Sequence, residues 1–279
     1  KTNSRRNAMR LKIKLVLCWL ITCIHLNSMA ITSLQDGLLG HWKLDEEAGN
    51  IAKDSSGKSN HGKLTAGGKG TTWKPGGGKV GGALYFDGSG EQVADDKGKE
   101  YINGLTAFTV ALWVKSDQDM TDSGFIDGRD PGGDDTVLGI RYDKAGFEAG
   151  GKNLLKAGIT TSGGVQRLET SNETQSTDWQ HLALTWSSNN QLAMYIDGVL
   201  DQPTFNSKAT KGKMTDASKM VIGQGEKDKA GAVGWKGLID DVRIYNRVLK
   251  EAEMADLAAG KLAVEAKAKL TTIWAAIKE

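Results

Sequence analysis

Two adjacent carboxylates, Asp240 and Asp241, interrupt an otherwise strand-like segment near the end of the chain, WKGLIDDVRIYNRVL at 235–249. The alternation of residue types predicts a β-strand whose successive side chains point to opposite faces of a sheet. We therefore expect Asp240 on one face and Asp241 on the other. Burying an unpaired carboxylate costs several kcal/mol, so each side chain needs a cation, a metal ion or a set of hydrogen-bond donors.

Calcium is the metal that these residues favour, because Ca²⁺ prefers carboxylate oxygens and the carbonyl oxygens of turns. Asp240 is the first candidate ligand of a structural Ca²⁺. Asp45, at the end of the first predicted strand, and Asp87, in an FDG turn, are candidates to lie near it. The alternative is that Asp240 and Asp241 form salt bridges with Arg243 or with neighbouring lysines.

A second acidic cluster occupies residues 116–135. A solvated loop is the simpler interpretation, and a metal-dependent ligand site is the alternative. The cluster consists of Asp117, Asp119, Asp122, Asp127, Asp130, Asp134 and Asp135.

Aromatic side chains can stack on sugar rings, but most tryptophans of this chain lie within or beside apolar runs and are predicted to be buried. Trp73 is different, because it lies in the glycine-rich segment GTTWKPGGG. We predict Trp73, together with Tyr142 and Phe147, as ligand contacts.

Short alternating runs separated by glycine turns extend from residue 38 to 246, without helical runs between them. This pattern predicts an all-β, antiparallel two-sheet sandwich. Asp197-Gly198 is typical of a type I′ hairpin turn. The clearest runs are 38–44, 82–86, 108–115, 136–142, 179–186, 191–198 and 220–223.

The C-terminal region has helical patterning. Residues 250–260 predict a short helix that ends at Gly260, and 260–279 predict an amphipathic helix with an apolar stripe. The amphipathic helix is expected to dock on the sandwich; the alternative is that it binds a protein partner or a membrane surface.

The first thirty residues resemble a secretory signal peptide, with a basic start, an apolar run at 15–26 and small residues before a cut after Ala30. Both cysteines lie in this leader, which excludes a disulfide scaffold and thiol catalysis in the mature protein. Without the six Lys/Arg residues of the leader, 30 basic residues face 34 acidic ones, and the formal net charge changes from +2 to −4. Nucleic-acid binding therefore loses its electrostatic support. We expect a protein that is secreted, periplasmic or at the cell surface.

Seven segments in order resemble the laminin-G-like branch of the concanavalin A-like lectin/glucanase superfamily. The resemblance covers residues 37–257 and implies a jelly-roll sandwich over 31–259 whose first and last strands pair. It also implies carbohydrate or a cell-surface protein as partner and a carboxylate on the last strand, here Asp240, as a calcium ligand. The segments are GLLGHWKLDE, DSSGKSNHG, GGALYFDG, LTAFTVALWVK, WQHLALTW, MYIDG and WKGLIDDVRIYNRVLKEAEMADL.

Lys250 departs from the family pattern, in which a Ser or Thr opens the last helix. Lys250 should leave Glu253 without its reciprocal capping partner, at a cost of about 1 kcal/mol, and fray the helix.

Catalytic relatives with this fold carry Glu-x-Asp-x-Glu on one strand, because glycoside hydrolysis needs two carboxylates about 5 to 9 Å apart. This run does not occur in the sequence. We therefore predict a non-catalytic lectin-like binding module. The alternatives are a structural or adhesive protein-interaction domain and a glycan-degrading enzyme of the same fold.

Overall fold

The computed structural model describes residues 34–65, 70–129, 136–146, 148–225 and 234–261, and within it residues 37–261 form one compact unit. The predicted leader (1–30), Phe147 and all but the first two residues of the predicted helix 260–279 lie outside the described residues. The same is true of Asp130, Asp134 and Asp135 from the acidic cluster.

Two antiparallel sheets form a sandwich. The described elements are β1 (Leu38–Trp42), β2 (Ile51–Ala52), β3 (Gly62–Leu64), β4 (Thr71–Lys74), β5 (Ala83–Asp87), β6 (Val93–Asp95), α1 (Gly98–Ile102), β7 (Ala107–Ser116), β8 (Ser123–Arg129), β9 (Thr136–Ala145), β10 (Lys152–Thr161), β11 (Gly164–Glu169), β12 (Gln180–Ser187), β13 (Ala193–Ile196), β14 (Val199–Leu200), β15 (Phe205–Asn206), β16 (Lys219–Ile222), β17 (Lys236–Tyr245) and α2 (Glu251–Ala258).

The eight-stranded sheet has the order β14-β13-β12-β7-β17-β5-β4, with β1 also paired to β17. The nine-stranded sheet has the order β15-β11-β10-β9-β8-β16-β6-β3-β2. Both sheets contribute apolar side chains to one core, for example Leu112 and Ile244 from the first and Ile140 and Leu155 from the second. The all-β, antiparallel, two-sheet jelly-roll prediction is confirmed.

Several local predictions are also confirmed. Each of the seven predicted runs contains a strand, and the first strand pairs with the last. β7 lies between β12 and β17, with buried side chains on both faces, as its apolar composition predicts. The turn at Asp197 and Gly198 has positive φ at both residues, which is the type I′ conformation.

The acidic segment 116–135 is not simply a solvated loop, because Ser123–Arg129 is a strand of the nine-stranded sheet. Phe125, Ile126 and Asp127 are buried there, and the strand pairs with β9 and β16. The strand was not predicted because its apolar centre is short and aspartates flank it. Pairing on both edges compensates for the weak local signal.

β17 does not alternate as predicted. Asp240 pairs with Trp113 and Arg243 with Ala111, so β17 has one extra residue at this point, and Asp241 has φ of 49°. This is a β-bulge. Ile239, Val242 and Ile244 therefore all belong to the core, and both carboxylates lie on the face away from it. The prediction that Asp240 and Asp241 point to opposite faces is wrong.

The bulge lies where one edge of β17 changes its partner. Residues 236–239 pair with β5, and residues 242–245 pair with β1. Asp240 and Asp241 are between these two ladders, so their backbone is not held by a continuous neighbour. The structure fills this position with side chains and with the loop before β5.

α2 ends as predicted, with Ala259 as C-cap and Gly260 at φ of 64°. Its N-terminus corrects the expectation that Glu253 lacks a partner. Glu253 accepts the backbone N–H of Lys250 at 2.9 Å and a bidentate pair from Arg247 at 2.7 and 2.8 Å. Arg247 thus supplies the interaction that Lys250 cannot.

None of the helices in the described parts of the chain is long and apolar enough to cross a membrane.

Candidate functional site

Asp240 lies in a pocket formed with the glycine-rich loop 78–82, which we call the Asp240 pocket. Asp240 Oδ2 accepts the backbone N–H of Val80 at 2.8 Å and also that of Lys79. The loop closes on itself through a bond from Gly78 N to Gly81 O. A Cβ at Gly78 would lie 1.9 Å from Gly82 O and 2.7 Å from Asp240 Oδ2, so only glycine fits there.

Asp45 reaches the same loop from the end of β1. Its Oδ1 accepts the N–H of Gly82 at 2.5 Å, and its charge acts on Asp240. The preceding residue, Leu44, is buried and has φ of 57°, which is rare for leucine. This unfavourable conformation turns the chain at the pocket, and strain of this kind is concentrated at functional sites.

The carboxyl group of Asp240 is completely buried, and burial raises its pKa to about 8. Its Oδ1 has no hydrogen-bond partner among the described residues. A buried carboxylate oxygen without a donor is costly and suits a cation. No group of three His, Cys, Asp or Glu side chains in the described ranges could hold a metal ion. The pocket therefore fits a cation bound by Asp240, with Asp45 nearby and backbone carbonyls as the remaining donors.

Asp87 is not part of this pocket. The register pairs it with Lys236, four residues before Asp240, which is about 13 Å along the strand. Asp87 is exposed, and hydrogen bonds from Ser89 lower its pKa. The structure thus brings together Asp45 and Asp240 but excludes Asp87, which turns back on its own loop.

Asp241 belongs to a separate buried network. His41 Nε2 lies 2.6 Å from Asp241 Oδ1, and Arg243 donates to the same carboxylate at 3.1 and 3.2 Å. Burial alone would raise the pKa of Asp241, but the hydrogen bond from His41 and the charge of Arg243 lower it. Asp241 is therefore an ionised partner of Arg243, as the salt-bridge alternative predicted for it.

The face away from the core continues with Trp113 and His181, whose rings meet edge to face at 5.2 Å. Burial lowers the pKa of His181 to about 4. The ammonium of Lys79, from the loop over Asp240, lies 4.9 Å from the centre of the Trp113 ring. The same loop thus covers both Asp240 and the adjacent aromatic pair.

The predicted aromatic ligand contacts do not form a group. Tyr142 is completely buried against Phe125 and Trp235, and its hydroxyl bonds to Gln180, so a ligand cannot reach it. The prediction for Tyr142 is wrong, because its side of β9 faces the core. Trp73 is only half-exposed: it packs on the core and donates Nε1–H to Gly49 O at 2.8 Å. Its role in binding stays a prediction.

The nine-stranded sheet has a polar face that the sequence did not indicate. Lys156 and Asp143 form an ion pair at 2.6 Å, and Arg141 and Asp122 form another at 3.0 Å. The alternation of buried Leu138, Ile140 and Tyr142 in β9 could have revealed this face, but β10 was not recognised as a strand. Without β10, the facing rows could not be aligned.

These features define a lectin-like sandwich: two antiparallel sheets around one core, with a polar face on one sheet and a carboxylate pocket on the other. The family model of the concanavalin A-like lectin/glucanases superfamily matches residues 87–255. The chain belongs to this superfamily.

Solved structures share this fold. Domain 4 of an extracellular arabinanase from Geobacillus stearothermophilus, in complex with arabinotriose, has 24% identity and a TM-score of 0.57, over 79% of this chain and 98% of that one. The binding domain of Paraclostridial Mosquitocidal Protein 1 has 17% identity and a TM-score of 0.59, over 81% and 52%. A Trypanosoma rangeli sialidase has 19% identity and a TM-score of 0.57, over 80% of this chain but 32% of that one. A search of curated proteins finds no match.

Proposed function

We propose that this protein is an exported, non-catalytic module that binds carbohydrate. The observation that carries the proposal is the likeness to the arabinanase domain, which spans 98% of that domain and was solved with arabinotriose. The fold is shared with binding modules and with glycosidases, so the non-catalytic part needs its own argument. That argument is the lack of any Glu-x-Asp-x-Glu run in the sequence.

We further propose that the Asp240 pocket holds a structural Ca²⁺. Asp240 would be its carboxylate ligand, and carbonyl oxygens of the glycine-rich loop would complete the shell. The buried, unpartnered Oδ1 supports this assignment. The ion would supply positive charge where the end of β1, the loop 78–82 and β17 meet.

A second candidate function is recognition of a cell-surface protein. The likeness to the binding domain of a mosquitocidal protein favours it. The segment 260–279, with its apolar stripe, is the part of the sequence that would serve such a partner.

Binding to an immobilised oligosaccharide panel that includes arabinotriose tests the main proposal. Saturable binding without release of reducing ends is expected. Steady release of reducing ends would overturn the non-catalytic part. Capture of a surface protein without binding to any glycan would favour the second candidate.

A further inference from the structure

A pair of glycines clears a patch on the face of the nine-stranded sheet that points away from the core. Gly139 of β9 and Gly158 of β10 are direct cross-strand partners. Their chain neighbours Leu138, Ile140, Ala157 and Ile159 all belong to the core, so both glycines lie on the opposite face. Two facing residues without side chains leave a trough in a surface that is otherwise covered. We call Gly139 and Gly158 the glycine floor.

Charged side chains surround the glycine floor. The next pair along the two strands is Arg141 and Lys156, which face each other across the ladder. Both cations are compensated, Lys156 by Asp143 and Arg141 by Asp122. The ion pair of Lys156 is recessed, with side-chain exposures of 12% and 10%. These side chains are therefore held in place before any ligand arrives.

The neighbouring strands close the two sides of the trough. Arg167 of β11 is the partner of Gly158 and is largely exposed, with Glu148 at 3.5 Å. Asp127 of β8 is the partner of Gly139 and is buried. With strands about 4.8 Å apart, the floor and its two sides span roughly 14 Å. This space admits a sugar ring with its hydroxyl groups.

We infer that the glycine floor, with the Lys156–Asp143 and Arg141–Asp122 ion pairs and Arg167, is the binding site of a neutral oligosaccharide. Each ion pair presents a donor and an acceptor side by side, which matches adjacent hydroxyl groups of a sugar. Because the cations are already neutralised, the site has little attraction for an anionic glycan. This inference rests on the proposed carbohydrate-binding function and assigns its location and ligand class.

A protein partner fits this face less well. The centre of a stable protein interface is depleted of charged residues and rich in large apolar ones. Val165, on β11, is the one strongly exposed apolar side chain among the described residues of β9, β10 and β11. The ion pairs would have to be desolvated beneath a protein, whereas a sugar replaces water with its own hydroxyls.

The test fills the trough. Gly158→Val and Gly139→Val place a branched side chain on the floor at positions where a strand favours such residues, so the fold is expected to persist. Calorimetric titration with the neutral oligosaccharide that binds best, drawn from arabinan, xylan, mannan and β-glucan fragments, should show affinity weakened about tenfold or more. Arg167→Ala should weaken binding by a smaller factor, because Arg167 lies at one side only.

Val165→Thr is the matched control, because it changes a side chain on the same face beyond the floor while keeping its shape. It should bind like the wild type, and thermal unfolding of each variant verifies the fold. Equal binding by the wild type and both glycine variants would place the site elsewhere and overturn the inference, for example in favour of Trp73 if Trp73→Leu alone loses binding.

Charge provides a second outcome. Preferred binding of oligogalacturonate over every neutral fragment would overturn the assigned ligand class. If the wild type binds no glycan of either kind, the proposed function itself fails. Binding by the wild type that the glycine variants retain sinks only the location, so the two failures are distinguishable.

Discussion

At the scale of single residues, the buried pair Asp241–Arg243 shows how this protein uses charge inside its structure. Both side chains are at most 7% exposed, and His41 provides the remaining hydrogen bond to the carboxylate. Such a pair contributes less to stability than its geometry indicates, because desolvation opposes the attraction. Removing one partner is different, because it leaves the other charge buried and unpaired.

Arg243→Met should therefore lower the free energy of unfolding by about 3–5 kcal/mol. The matched control is Lys261→Met, which breaks the exposed pair with Asp256 and should cost less than about 1 kcal/mol. Urea denaturation of both variants measures the difference. Equal, small losses would mean that Asp241 is protonated or solvated, contrary to its lowered pKa.

Asp240 predicts a specific pH dependence for the metal-free protein. Burial raises its pKa to about 8 in the folded state, while the unfolded chain has an ordinary value of 3.8. The folded protein thus keeps a proton that the unfolded chain releases, so stability is lost as pH rises toward 8. His181, with its pKa lowered to about 4, has the opposite effect only below pH 6.5.

Between pH 6.5 and 8, in the presence of a chelator, the free energy of unfolding should fall by about 1–2 kcal/mol. Asp240→Asn should remove this slope, because an amide does not titrate. Chemical denaturation at several pH values gives the answer. A slope that survives in Asp240→Asn would assign the titration to another group.

At the scale of elements, α2 depends on a residue outside itself. The bidentate contact between Arg247 and Glu253 fixes the first turn of the helix. Arg247→Met should destabilise α2 by about 1–3 kcal/mol, because it removes hydrogen bonds to a nearly buried charge.

Hydrogen exchange of the α2 amides should become faster in Arg247→Met. Lys250→Met is the control, since only its backbone N–H reaches Glu253 and that bond is unchanged by the substitution. If both variants exchange alike, the helix is held by its buried side chains Met254 and Leu257 instead.

The elements also show which parts of the structure the sequence can predict. Strands such as β7 and β12 were predictable because their apolar residues recur over eight or more positions. β8 and the bulge in β17 were not, because both depend on partners far away in sequence. Asp240 was found as a candidate by its residue type, whereas its loop and the misplacement of Asp87 follow from register alone.

At the scale of the whole molecule, a cation in the Asp240 pocket would connect segments that are far apart in sequence. The end of β1, the loop 78–82 and β17 meet there. A ligand that binds only the folded state stabilises it by about 2.7 kcal/mol at a hundredfold excess over its dissociation constant.

Calcium should therefore raise the melting temperature of the wild type, and a chelator should reverse the rise. Asp240→Asn should abolish the response, while Asp87→Asn should leave it intact because Asp87 lies about 13 Å away. Differential scanning calorimetry measures both. An unchanged midpoint in the wild type, together with tolerance of Asp240→Asn, would refute the calcium proposal.

The position of the last strand has a consequence for how this protein is made. β17 pairs with β7 on one edge and with β5 and β1 on the other, so three strands synthesised much earlier wait for it. A nascent chain still attached to the ribosome before residue 236 has no complete eight-stranded sheet and leaves these edges open. Folding must therefore follow the end of translation, and a stop codon upstream of β17 yields no smaller folded product.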